Sequence, residues 1–218
     1  GCRVAIVGRS AERIQAAAAE LGAHPIVADM ADPQGPASAV AEATERLGPV
    51  DILVANAGGP QPGGFTAVTE DDWDAAIQQN LMGTVRLMTV VLPNMRARAW
   101  GRIITITSRT VREAIDGLVL SNATRAGVAG VVRTVAREVA REGICVNNVM
   151  PGSFATERLV EIHGSAEAVA ARGAASVIGR IGDPDEMGAL ITFLASQQAA
   201  YITGSSILID GGEGAIIA

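Results

Sequence analysis

The chain has 218 residues, 49% of them hydrophobic, enough to bury a substantial core and too apolar for a disordered tail. Its net charge of −6 argues against a general nucleic-acid binder, because phosphate contacts need a surplus of cations. No run approaches about eighteen consecutive apolar residues, so no membrane span is expected. Cys2 and Cys145 are too few for a disulfide framework and no Cys/His cluster has metal spacing, so a reducing cytoplasm and no metal site are expected.

Short β-like runs alternate with amphipathic helical stretches. The opening GCRVAIVGRS predicts a strand over 3–7 and a turn, not a signal peptide. Ala11–Leu21 follows as a helix stopped by Gly22. A second strand falls at 25–28, a helix at 36–47, and a nearly all-apolar third strand at 50–55, as suits a strand covered on both faces. Residues 69–98 predict two helices, the first capped by Thr69 with Glu70, Asp71 and Asp72 in its first turn. Then come a strand at 102–107, a long helix at 122–141 and a strand at 144–149. The Gly- and Ala-rich stretch 153–181 holds two helical pieces, followed by a helix at 185–195 and a last strand at Ser206–Ile209. Strands alternating with helices imply parallel β-α-β units in a doubly wound α/β sheet, and 1–218 is expected to form a single domain.

All 17 basic residues are arginine, so no lysine-dependent chemistry is open to this chain. Its one tyrosine is Tyr201. Ligands of open α/β sheets bind at the carboxyl ends of the strands. Those ends here carry Gly8-Arg9-Ser10, Asp29-Met30, Asn56-Ala57-Gly58, Thr107-Ser108 and Pro151-Gly152-Ser153. Small and polar tips of this kind suit a nucleotide lying across the crest, since glycine lets backbone approach a ring or phosphate.

The order VDILVANAG (50–58), Asn80, GRIITITS (101–108), VNNVMPGSFAT (146–156) and YITGSSILIDGG (201–212) resembles the short-chain dehydrogenase/reductase superfamily along essentially the whole chain. The loop at 59–63 and Ser121-Asn122-Ala123-Thr124-Arg125 resemble its 3-oxoacyl-carrier-protein reductase branch. The resemblance implies a Rossmann-like fold and hydride transfer between NADP(H) and a small ketone, ketoacyl or secondary alcohol substrate. It also implies a homo-oligomer, tetramer or dimer, paired through the small-residue face at 126–130, and a substrate lid over 153–181. The cofactor would be held by Arg9, Asp29, Met30, Asn56, Ala57, Gly58, Arg125, Pro151, Gly152 and Thr156. NADPH is expected over NADH, because Gly8 stands where an acid would hold the ribose hydroxyls and Arg9 is placed for a 2′-phosphate.

Two departures stand out. The chain opens at what resembles the family's second strand, and the preceding strand, Gly-rich turn and helix, about 25–30 residues, are missing from the sequence. Because that strand lies mid-sheet, its loss leaves two unpaired inner edges, and the folded protein is expected to carry the block. At the reaction centre Asn80 and Ser108 match the family, but Ser121 stands at the tyrosine position and Arg125 at the lysine. An i, i+4 spacing keeps both on one helix face. An alkyl hydroxyl is a far weaker acid than a phenol of pKa about 10, and arginine cannot be tuned as lysine can. Acid–base help worth about 10²–10⁴-fold is at stake. Asn80 is expected to hold a water relay, Ser108 the carbonyl oxygen, and Arg125 the ribose and the local field. Ser121, or a water it holds, is expected to give the proton. Plainer roles stay open: Ser121 as an N-cap, Ser108 as a strand-end cap, Asp29 and Arg9 as turn residues. The alternative function is a nucleotide-binding sensor or assembly partner that has lost efficient catalysis.

Overall fold

A computed structural model describes residues 1–214, with the side chain of His163 outside that description. The first unit is strand β1 (Ala5–Gly8), helix α1 (Ala11–Leu21) and strand β2 (His24–Val27). The bounds of α1 follow from local chemistry. The Ser10 hydroxyl accepts the Arg13 amide at 3.3 Å, and Gly22 takes the left-handed conformation at φ 63° that ends the helix. Helix α2 (Gly35–Leu47) leads to β3 (Ile52–Ala55).

Helix α3 (Glu70–Ala76) opens with a capping box, Thr69 and Asp72 each satisfying the other's amide. The two helices expected over 69–98 are one continuous run. A π-helical turn, Ile77–Met82, joins α3 to α4 (Gly83–Ala97) without a loop. At Gly83 a Cβ would stand 2.8 Å from the Met30 carbonyl oxygen, so only glycine lets the helix pass so close to the β2 tip.

Strand β4 (Gly101–Ile106), helix α5 (Val119–Val139), strand β5 (Ile144–Pro151), helices α6 (Glu157–His163), α7 (Ala166–Ala175) and α8 (Pro184–Ala195), and strand β6 (Ser206–Ile209) complete the order. Helix α5 starts three residues before the expected position, with Leu118 as its cap and no side-chain capping bond. Ser121 is therefore inside the helix, which removes the N-cap role. Asn122, the first residue of the expected helix, bonds the backbone of Ile115.

All pairings are parallel, but the sheet is in two pieces: β1–β2, and β3–β4–β5–β6. The inner edges of β1 and β3 have no ladder partner among the described residues. Val7 and Val54 on these strands are 42% and 41% exposed, unusual for strands of a parallel sheet, which are normally covered on both faces. The larger piece is doubly wound. Ile103 points into a cluster with Val91, Met95, Val132 and Val139 of α4 and α5, and Ile104 points oppositely toward Leu194 of α8. This two-faced core fixes the carboxyl ends of β3, β4 and β5 side by side.

Candidate active site

Four elements meet at those carboxyl ends. The loop after β3 presents Asn56, Ala57 and Gly58, with Asn56 exposed. Asn80 comes in from the π turn, 3% exposed, and donates its Nδ2 to the Gly58 carbonyl at 2.6 Å. Its Oδ1 is buried with no partner. A π turn of this kind re-aims one residue of a helix and is frequent at functional sites. Here it also places the Asn80 carbonyl under the Thr84 hydroxyl at 2.9 Å.

Ser108 ends β4 and caps a short 3₁₀ turn, its Oγ accepting the Thr110 amide at 3.2 Å. Both roles left open for Ser108 are compatible with that bond, because the hydroxyl proton still has no acceptor. Ser121 is 8% exposed, and its Oγ lies 3.4 Å from the Thr110 hydroxyl. Thr110 thus stands between the two serines, one through its amide and the other through its side chain. Nothing in the sequence pattern singled out Thr110.

Arg125, one turn along α5 from Ser121, donates Nη1 to the carbonyls of Ile106, at 3.2 Å, and Thr107. Its Nε is buried and unpartnered. Burial first, then the charge of Arg158, pushes its pKa down to about 10, so it stays a cation at neutral pH. Arg125 and Asn80 line one cleft with Ala57, Thr84, Ile106 and Thr107. Arg158 of α6 is the second residue that sequence reasoning missed. Its only sequence signal was a position in the Gly- and Ala-rich segment.

The remaining sequence-derived positions are spread along the crest. Arg9 is exposed at the β1 tip and makes no hydrogen bond among the described residues. Asp29 accepts the Ala31 amide at 2.9 Å in a local turn, leaving its second oxygen free. Met30 packs by the π turn, and Pro151 and Gly152 end β5 with the Gly152 amide on the Ile209 carbonyl at 2.9 Å. Thr156 is exposed and caps α6 without a side-chain bond to the helix, its hydroxyl donating to the Phe154 carbonyl at 3.5 Å. Tyr201 is fully exposed before β6, at the opposite end of the strands. Cys2 and Cys145 are both free. Among the described residues no three His, Cys, Asp or Glu side chains converge as a metal set, and no helix is long and apolar enough to cross a membrane.

A parallel α/β fold with its polar cleft at the strand ends defines a Rossmann-like protein of a single domain. Residues 1–213 match the family model described as Enoyl-(Acyl carrier protein) reductase, and the chain belongs to that family of the short-chain dehydrogenase/reductase superfamily. The chain is 37% identical over 185 residues to "Nodulation protein G" of Azospirillum brasilense, covering 84% of this chain and 74% of the relative. It is equally 37% identical over 175 residues to "Acetoacetyl-CoA reductase" of Shinella zoogloeoides, covering 80% and 72%. Similarity to "Short-chain reductase protein NovJ" of Streptomyces niveus runs over 223 residues at 32% identity, covering 98% and 85%.

Proposed function

We propose that this protein is an NADP(H)-dependent oxidoreductase acting on a ketone, ketoacyl or secondary alcohol substrate, with an altered reaction centre of Asn80, Ser108, Ser121 and Arg125. The observation that carries this is the β4 tip, where Thr110 links the Ser108 and Ser121 hydroxyls and the Ile106 and Thr107 carbonyls hold the Arg125 guanidinium. Relatives named as reductases support the class of reaction.

The residues present fit the cofactor. Asn80 Oδ1 and Arg125 Nε are buried polar atoms that a bound ligand satisfies. Arg9, Asp29 and Met30 at the β1 and β2 tips would hold the adenosine end. Asn56, Ala57, Gly58, Arg125, Pro151, Gly152 and Thr156 would hold the rest. When bound, NADP(H) supplies or takes the hydride.

The chain's own residues do the remainder. The Ser108 hydroxyl, its oxygen held by the Thr110 amide, donates a hydrogen bond that positions the substrate carbonyl oxygen. Arg125 adds a positive field where negative charge develops on that oxygen, and a fixed cation in a covered site stabilises such charge most. Ser121, or a water it holds, gives the proton; Thr110 sits at hydroxyl contact to orient or relay it. Asn80, fixed on Gly58, holds the water that resupplies it. The segment 153–181 is the lid, and a reducing cytoplasm suits the two free cysteines. Helix α5 leaves Ala126 and Gly130 exposed, a face that suits close packing against a two-fold-related copy in a tetramer.

The test is NADPH consumption by the purified protein with a panel of ketones and 3-oxoacyl thioesters. Turnover with at least one is expected. Tight NADPH binding without turnover on any of them overturns the enzymatic reading in favour of a sensor or assembly partner.

A further inference from the structure

We infer that the substrate carries an acid group, a carboxylate in the first instance, and that Arg158 acting with Arg125 recognises it. The inference rests on the oxidoreductase reading for the word substrate, and on geometry of its own for the acid.

Two guanidinium groups approach one point beside Gly59. A methyl group built on Gly59 would lie 3.5 Å from Arg158 Nη2 and 3.7 Å from Arg125 Nη2. Gly59 carries no side chain to fill the space beside the two forks. Only Arg158 has a carboxylate partner, and that one is exposed. Arg125 makes no ion pair among the described residues, and its Nε is covered and unbonded while Nη1 alone is spent on carbonyls. Arg158 pairs with Glu161 at 3.1 Å, but that carboxylate is 63% exposed on the outer turn of α6. On the inner side Arg158 Nη2 donates to the Pro60 carbonyl at 2.9 Å, which aims the fork at Gly59.

Two like charges brought together, one of them desolvated, raise the energy of the empty site. The depressed pKa of Arg125 records the same penalty. Elsewhere at this end of the sheet the fold avoids it: Arg109 and Arg172 share the carboxylate of Glu213, at 3.8 and 3.2 Å. A pair that shares no such carboxylate is completed by the anion it binds. Guanidinium forks match a carboxylate in two parallel hydrogen bonds, so an oxo acid or hydroxy acid fits best. Position favours the substrate over a cofactor phosphate. Arg158 reaches from α6 to Pro60 in the loop after β3 and Arg125 holds the β4-tip carbonyls, whereas Arg9 and Asp29 stand at the separate tips of β1 and β2.

Calorimetric titration decides it, using acetoacetate and laevulinate against their uncharged methyl esters, with and without saturating NADPH. At least one acid is expected to bind tenfold or more tightly than its ester. Arg158→Gln is expected to bring that acid to within about threefold of the ester, with NADPH affinity unchanged and Arg158→Lys intermediate. The Arg158 side chain is 40% exposed, so the variant keeps the fold, which an unchanged urea midpoint verifies. No acid outbinding its ester, or Arg158→Gln weakening NADPH in place of the acid, overturns the inference. Acid binding that depends on Arg158 without NADPH consumption would sink the oxidoreductase reading and leave this inference standing. Reduction of neutral ketones with no preference for acids would do the reverse.

Discussion

The two ends of the larger sheet each hold an arginine on backbone carbonyls, Arg102 buried and Arg125 half-buried, and they finish it differently. At the amino end Arg102 is 3% exposed, with Nε on the Ser196 carbonyl at 3.2 Å and Nη1 on those of Gly101 and Gly143 at 2.9 and 3.4 Å. Its guanidinium lies 4.7 Å from the centre of the Trp100 ring. None of its buried nitrogens lacks a partner. At the carboxyl end Arg125 satisfies one nitrogen, leaves Nε bare and faces a second cation. A buried charge that the backbone completes is scaffold; one left incomplete waits for a ligand.

The largest expected effect falls at the incomplete end. Ser121→Ala should lower turnover by about 10²–10⁴-fold while leaving NADPH affinity intact. Because Ser121 is inside α5 and caps nothing, its stability cost stays within about 1 kcal/mol. A rate unchanged in steady-state assay would remove Ser121 from the reaction centre. At the complete end the expected loss is in stability. Arg102→Met bares carbonyls at about 1–3 kcal/mol each, so urea unfolding should show a loss of roughly 3 kcal/mol. A loss below about 1 kcal/mol would mean that Arg102 is not scaffold. The smallest effect is at the β1 tip. Arg9→Asp should erase or reverse a preference for NADPH worth about 1.5–3 kcal/mol, measured by fluorescence titration of both cofactors. Equal affinities in the parent would remove that role.

The legible parts of the molecule were those with local causes. Helix α1 follows from Ser10 and Gly22, and α3 from Thr69 and Asp72, residues whose side chains or backbone act within one turn. The strand tips follow from alternation of elements, so Asn56–Gly58, Ser108 and Pro151 could be placed without a structure. The π turn could not, because one extra residue per turn has no residue-type signature. The start of α5 was hidden since Leu118 is a cap with no capping side chain, while Ser121 looks like a cap and serves elsewhere. Arg158 enters the site through a contact with the distant Pro60, and Thr110 through the fold of the turn between β4 and α5, neither of which a spacing rule reports.

The account turns on whether the charge of Arg125 is kept for a ligand or for the fold. Urea unfolding of Arg125→Met beside the parent, with no ligand present, asks this directly. Two carbonyls lose a donor, but an uncompensated buried cation is removed, and such exchanges are often neutral or stabilising. The account predicts stability within about 1 kcal/mol of the parent, or above it. A loss of roughly 3 kcal/mol or more, matching Arg102→Met, would contradict it.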